Sequence, residues 1–331
     1  MGENKYTIDD IARELGVSKT TVSRAISGKG RIGKETTERV ARFIREHNYQ
    51  PNVLAKGLAQ NKTFNIGLAM PQEFGIGDLP FFQNSVSGIC QAAAQNDYDV
   101  LLFRITGDDL SQLKRIINNH KTDGVILTRT MIDDYPVRLL KEQGIPFVVI
   151  GSSLDQDVTH ADNDHINACK MLTELLLNRG LRSFALVGGN MEFFVNQSRL
   201  RGYQAAFEEY SGKASSKTHL NIVREAQVVK AVDDALLDGA NCIVCMDDFI
   251  CSRVIARLAD RSVKIPEEVS VATFYSSMLL EHNNPVITGL EFDAAKLGGI
   301  ACQMLIDKLN GKQVDDCLST DYRLLIGKST L

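Results

Sequence analysis

The sequence predicts a small all-α head of helix-turn-helix type followed by an α/β body of two doubly wound, parallel-sheet lobes. Three observations carry this expectation. The first sixty residues hold three short amphipathic patterns and nothing strand-like, apolar runs alternate with helical periods from Asn65 onward, and that alternation starts over at Phe184. At 331 residues the chain has room for about two domains and an appendage.

In the head, Thr7 opens a capping pattern that Asp10 completes, Ile8, Ile11, Ala12 and Leu15 follow at helical spacing, and Gly16 stops the helix. Ser18 caps a second helix with Val22, Ala25 and Ile26 as its apolar stripe, broken at Ser27-Gly-Lys-Gly30. A third runs from Lys34 to about Asn48, with Val40, Phe43 and Ile44 facing inward. In the body, Ile66 to Met70, Val100 to Phe103, Gly124 to Thr128 and Phe147 to Gly151 read as strands. Between them Phe82, Val86, Ile89 and Ala93, then Leu110, Leu113, Ile116 and Ile117, keep helical periods. The second lobe repeats the plan. Strand Phe184 to Gly188 precedes helices around Leu200, Tyr203 and Phe207 and around Val229, Val232 and Leu236; strand Cys242 to Met246, helix Ile250 to Leu258 and strand Val269 to Phe274 follow. A late helix, Ala294 to Leu309, and a last strand, Tyr322 to Ile326, fit either lobe.

Composition excludes several classes. With 44% hydrophobic and 24% charged residues the chain is neither disordered nor collagenous. No apolar run approaches about 18 residues and Met1 to Ile8 has no signal-peptide core, so a cytosolic protein without membrane contact is expected. Seven scattered cysteines suit reduced thiols better than a disulfide framework. Cys242 and Cys245 form a CxxC, but on a strand residues i and i+3 face opposite ways, so the thiols should diverge. Charge is divided unevenly. Residues 1–62 carry 12 Lys/Arg against 7 Asp/Glu, whereas the remainder carries 25 against 34. A basic head on an acidic body suits a head that meets a polyanion.

A helix, a tight glycine turn and a second capped helix place that second helix to enter a DNA major groove. Its outward faces carry Ser18, Lys19, Thr20, Thr21, Ser23 and Arg24, all hydrogen-bond formers suited to base edges or phosphates, the alternative being a solvated face on a three-helix bundle. Gly28 to Gly33 matches GxGxxG and most of a P-loop. A helix precedes it instead of a strand, and Glu35 stands where magnesium needs Ser or Thr, so nucleotide binding is not expected. Lys29 and Arg31 in that loop are placed instead to touch phosphates.

The Thr21-Val-Ser-Arg24 run, Asn48-Tyr-Gln-Pro-Asn52, Ala55-x-x-Leu58, Arg199-x-x-Gly-Tyr203, Asp247-Asp248 and Pro266-Glu-Glu-Val-Ser-Val271 together resemble the LacI-type (lactose repressor/galactose repressor) family of bacterial transcriptional regulators, over nearly the full length. The resemblance implies a helix-turn-helix domain at 1–50, a hinge helix at 51–61, and a ligand-binding and dimerisation domain of periplasmic-binding-protein type at 62–331. Its N-lobe would comprise about 62–161 plus 292–320, and its C-lobe about 162–291 plus 321–331. It further implies Thr7 among the DNA contacts, Asn52 on a phosphate, Ala55 where two hinge helices approach, and Leu58 wedged into the minor groove. A hinge of about seven residues is too short to be helical alone and would order on DNA; a plain linker is the alternative.

In the body the resemblance places Arg199 and Asp247 in an effector cleft, with a structural ion pair as the alternative. Departures limit the ligand. Tyr275 replaces a common aspartate, Glu291 a common glutamine, and Gly151 an aspartate of several sugar binders. The carboxylates suit a neutral carbohydrate, with Phe81, Phe82 or Tyr275 available to stack on a ring; the segment Gln72 to Pro80 is longer than usual and is expected to lid the cleft.

Nothing points to catalysis. The six His form no HxH or HExxH, His160 and His165 flank a lobe crossing without a metal partner, and there is no GxSxG. Asp248 is expected to cap a helix. No metal or cofactor is expected. With no heptad pattern before Leu331, a homodimer on a pseudo-palindromic operator is expected, not a coiled-coil tetramer. The expected function is a repressor of a carbohydrate operon with a sugar or sugar derivative as effector. The alternatives are a regulator responding to a nucleobase and a sugar-binding protein with no DNA role.

Overall fold

A computed structural model describes residues 6–27, 31–47, 49, 57–58, 60–72, 80–106 and 109–330. The chain divides into two compact units, Met1–Thr63 and Phe64–Leu331.

In the first unit, α1 (Ile8–Leu15) begins in a full capping box: the Asp10 amide donates to Thr7 Oγ1 and the Thr7 amide donates to Asp10 Oδ2 at 2.9 Å. Gly16 ends α1 in the left-handed conformation at φ 63°, and α2 (Lys19–Ser27) starts at once because Ser18 Oγ accepts the Thr21 amide at 3.0 Å. The third helix, α3 (Lys34–Glu46), is tied to the end of α1 by Arg39, which donates to the Leu15 carbonyl at 2.9 Å. Ile11, Ala12, Val22 and Val40 form the buried centre, with Ile8, Leu15, Val17, Ala25, Ile26, Phe43 and Ile44 around it. A stripe of three or four apolar residues per short helix suffices to close this core, which is what fixes the angle between α1 and α2.

The second unit contains two six-stranded sheets. The N-lobe sheet has the order β11-β5-β4-β3-β1-β2, with β1 Asn65–Pro71, β2 Asp99–Ile105, β3 Gly124–Leu127, β4 Phe147–Ile150, β5 His160–Asn163 and β11 Cys317–Thr320, all parallel. The C-lobe sheet has the order β12-β10-β9-β8-β6-β7, with β6 Ser183–Val187, β7 Ser215–His219, β8 Cys242–Cys245, β9 Ser270–Thr273, β10 Thr288–Phe292 and β12 Tyr322–Leu325. It is parallel except for β12, which runs antiparallel to β10. Helices cover both faces of each sheet. In the N-lobe α4 (Pro80–Gln95) and α11 (Ala294–Leu309) share one core with Ile66, Leu68 and Val148, while α5 (Ser111–Asn118) and α6 (Tyr135–Glu142) pack on the other face. In the C-lobe α7 (His165–Asn178) and α8 (Phe194–Glu209) lie on one face, and α9 (Glu225–Leu237) and α10 (Asp248–Asp260) on the other.

The late helix thus belongs to the N-lobe and the last strand to the C-lobe. The C-lobe's apolar strand β8 shows why the CxxC holds no pair: Cys242 joins the core on the α7 side and Cys245 the core on the α9 side. Among the described residues no helix is long and apolar enough to cross a membrane.

Candidate functional site

In an open parallel sheet the strand order reverses at one point, and the loops leaving the two strands there diverge to leave a crevice. Here the reversals lie between β1 and β3 and between β6 and β8. The segments after these four strands carry Phe81, Arg129, Arg199 and Asp247, so the topology gathers onto one cleft residues far apart in the chain.

Arg199, on α8, is 8% exposed; its Nη1 donates to Asn196 Oδ1 at 3.4 Å and its Nε has no hydrogen-bond partner. Its positive charge counteracts the upward push that burial exerts on Asp247 and Asp248. Asp247, not Asp248, caps α10, its Oδ1 accepting the Ile250 amide at 2.8 Å. This corrects the expectation for Asp248: the helix begins at that residue, so its predecessor holds the cap. Asp248 is buried instead, accepting a hydrogen bond from Ser277, and burial first, then the neighbouring Asp247 charge, carry its carboxyl up to about 6.

The aromatic residues divide. Phe81 of the N-lobe is half-buried and packs against both lobes, meeting Tyr275 of the C-lobe edge to face at 6.0 Å; Tyr275 stacks on Phe292 at 6.4 Å. Phe82 instead lies in the N-lobe core. Glu291 is drawn elsewhere, paired with Arg323 through its Oε2. Leu290 and Phe292 face the core shared with Tyr275, so on alternating strand geometry Glu291 points to the other side. Gly151 sits at φ 106°, where an L side chain is strained, and a Cβ there would lie 3.0 Å from Thr130 Oγ1, so an aspartate is disfavoured chiefly by the backbone.

Several cleft residues carry no motif of their own. Asp162 on β5 accepts from the Ser152 amide at 2.8 Å and from the Asn163 amide at 2.7 Å, and it faces His165 across 3.8 Å. The signal was the polar Asp162-Asn-Asp-His165 run itself. Thr130 and Phe193 lie where the lobes touch: Ile132 donates to the Glu192 carbonyl at 2.9 Å, Phe194 donates to the Thr130 carbonyl at 3.2 Å, and the Arg129 guanidinium lies 4.1 Å from the Phe193 ring centre. Among the described residues no group of three His, Cys, Asp or Glu is arranged to hold a metal ion.

In the head, Ser18, Lys19, Thr20, Ser23, Arg24 and Arg31 are exposed and Thr21 is half-buried. Among them, Thr21 Oγ1 shares a hydrogen bond with Ser18 Oγ at 2.8 Å, and Lys19 pairs with Asp9. Thr7 is spent on its capping box. Leu58 is 88% exposed, and Gly57, Leu58 and Gln60 are helical. Lys29, Asn52 and Ala55, and the expected lid except for Gln72 and Pro80, lie outside the described residues.

A family model of bacterial regulatory proteins of the lacI family matches residues 7–52, and one of a periplasmic binding protein-like domain matches residues 173–330. The HTH-type transcriptional regulator MalR of Streptococcus pneumoniae is 34% identical over 209 residues, which is 62% of this chain and 63% of that protein's length. Catabolite control protein A of Staphylococcus aureus is 26% identical over 315 residues, 94% of each chain. A solved transcriptional regulator CelR–cellobiose complex matches with a TM-score of 0.75 at 24% identity, covering 98% of this chain and 99% of that one. The lac repressor dimer bound to operator and the anti-inducer ONPF matches with a TM-score of 0.79 at 19% identity, covering 99% and 100%. These two structures share the fold from end to end. Residues 7–52 thus carry a head of the lacI family of bacterial regulatory proteins, and residues 173–330 of the same chain a periplasmic-binding-protein-like domain.

Proposed function

We propose that this chain is a cytoplasmic, sugar-responsive transcriptional regulator, not an enzyme, that binds a pseudo-palindromic operator as a homodimer. The observation that supports it above all is the division of α2: Val22 is buried in the head core while Ser18, Lys19, Thr20, Ser23 and Arg24 are exposed. A helix held by its apolar side with a donor-rich face outward is what a major groove admits. Thr21, Lys29, Arg31 and Asn52 are assigned to backbone phosphates, Thr7 being held by its capping box. Leu58, with Ala55 at the approach of two hinge helices, is assigned to the minor groove; unstacking a base step costs a few kcal/mol and is offset by added contact area. The domain assignment follows: head to residue 50, hinge at 51–61, effector and dimerisation body from 62.

For the body, Arg199, Asp247, Tyr275 and Phe81 are proposed to contact the effector. A solved probable maltose operon transcriptional repressor and the solved cellobiose complex favour a neutral saccharide. Effector binding then shifts the balance between two body states, by no more than its differential affinity for them.

Two measurements test this. Arg24→Ala is expected to weaken operator binding by about 1–3 kcal/mol and relax preference at one base position; equal loss on every duplex would move Arg24 to the phosphate contacts. A thermal-shift panel of maltose, cellobiose, trehalose, sucrose, their monosaccharides and 6-phosphates, and purine bases is expected to respond to a neutral sugar. At 100 times its Kd a ligand stabilises by about 2.7 kcal/mol. A response confined to purines would overturn the carbohydrate assignment.

A further inference from the structure

We propose that His165 and Arg199 form a hydroxyl-reading subsite of the effector cleft, in which one ligand hydroxyl accepts from Arg199 Nε–H and donates to His165 Nδ1. The proposal rests on the saccharide reading above and adds to it a residue and a rule of selection.

Both side chains are more than nine-tenths buried, at 6% and 8% exposure, and each leaves one polar atom without a hydrogen-bond partner: His165 Nδ1 and Arg199 Nε. A buried polar atom left unsatisfied costs about 1–3 kcal/mol, and native folds hold few of them. Two on neighbouring side chains mark a place where a ligand completes the bonding. They are neighbours in the fold: His165 opens α7, Arg199 lies on α8, these helices pack on the same sheet face, and the guanidinium charge, after burial, helps hold the imidazole neutral.

The chemistry of the vacant bonds follows from the groups around them. A neutral imidazole carries a single N–H. His165 Nε2 faces Asp162 Oδ1 at 3.8 Å, and the Asp162 carboxylate is itself fixed by Ser152 and Asn163. The carboxylate favours the proton on Nε2, which leaves Nδ1 as an acceptor. The Phe292 ring, 4.8 Å from the imidazole, holds its plane. Arg199 Nε can only donate. A group bridging the two must therefore accept from one and donate to the other. A hydroxyl does both; a carboxylate or an ionised phosphate only accepts. Asp162 lies on β5 of the N-lobe sheet and Arg199 on a C-lobe helix, so a hydroxyl here joins groups of both lobes at the point where the chain crosses.

The test is calorimetric titration of the full chain with whichever panel sugar raises its melting temperature, in wild type, His165→Asn, His165→Gln and His165→Phe. Asparagine can set its amide oxygen near the place of Nδ1; glutamine sets its polar end near Nε2; phenylalanine keeps only the ring. Asparagine is expected to retain most of the affinity, whereas glutamine and phenylalanine lose about 10–100-fold, the equivalent of one unsatisfied buried group. Cooperative melting of each variant without sugar checks its folding. Phenylalanine binding like wild type, or all three variants weakening equally, overturns the subsite. If the phenylalanine variant does not fold, the asparagine–glutamine pair decides, and equal affinities overturn it. If no sugar of the panel binds wild type, the saccharide reading fails and the subsite with it. If sugar binds and the variants do not separate, the subsite alone fails.

Discussion

Raising monovalent salt from about 50 to about 200 mM is expected to weaken operator binding by three to five orders of magnitude, the response of a protein that neutralises roughly 6–10 phosphates. The charge division motivates this size. Residues 1–62 of each chain carry 12 Lys/Arg against 7 Asp/Glu, and Lys19, Arg24 and Arg31 are exposed. The acidic body adds nothing to attraction for DNA, so the effect belongs to the head. Lys19 is engaged with Asp9, but an exposed pair is worth only about 0–1 kcal/mol, so a phosphate competes for it readily. A plot of log affinity against log salt should be linear with a slope of about −5 to −9, and Lys19→Ala should make it shallower by about one. A flat plot would contradict the assignment of the head to DNA.

How much of this was readable in the sequence depended on whether a residue's environment was local. The head was legible almost to the residue, because a capping box, a glycine stop and a second cap are local devices: Thr7, Gly16 and Ser18 act within one turn of where they stand. Buried central strands such as β4 and β8 were legible as apolar runs. The strands that escaped were β5, β7, β10 and β11. Edge strand β7, Ser215–His219, is polar and largely exposed, and β5, His160–Asn163, is a polar run made a strand only by pairing with β4 and β11. Without β10 its parity was unknown, so Glu291 entered the expected cleft although its neighbours Leu290 and Phe292 face the core. The exchange of roles between Asp247 and Asp248 has the same origin, since one residue's displacement of a helix start decides which carboxylate caps and which is buried. The significance of His165 lies in its unpaired buried Nδ1, which no sequence pattern records.

Arg199→Ala is expected to destabilise the body by about 0.5–3 kcal/mol near neutral pH and to abolish the response to sugar, because it removes a cation whose charge acts on two carboxylates in the cleft. Asp247 and Asp248 are both pushed up by burial, and both are pulled back by Arg199. The sign of the pH dependence follows from Asp248. Its folded carboxyl, at about 6, lies above the ordinary carboxylate value of 3.8, so the folded state holds this proton more tightly than the unfolded chain does. Stability from this group is therefore greatest below the unfolded value and falls as pH rises toward 6, by about 1.4 kcal/mol for each pH unit of separation. Without Arg199 the carboxyl rises further, and the loss continues to higher pH. The deficit of the variant should accordingly be largest at pH 7–8 and shrink on acidification toward about pH 4–5, where Asp248 is protonated in both folded proteins. Denaturant unfolding of the two proteins at pH 5 and pH 8 measures it. Asp248→Asn should reduce the cost of Arg199→Ala, since the amide needs no compensating charge yet still accepts from Ser277. A deficit equal at both pH values, or one that Asp248→Asn leaves untouched, would show that Arg199 serves the body by packing and not by charge.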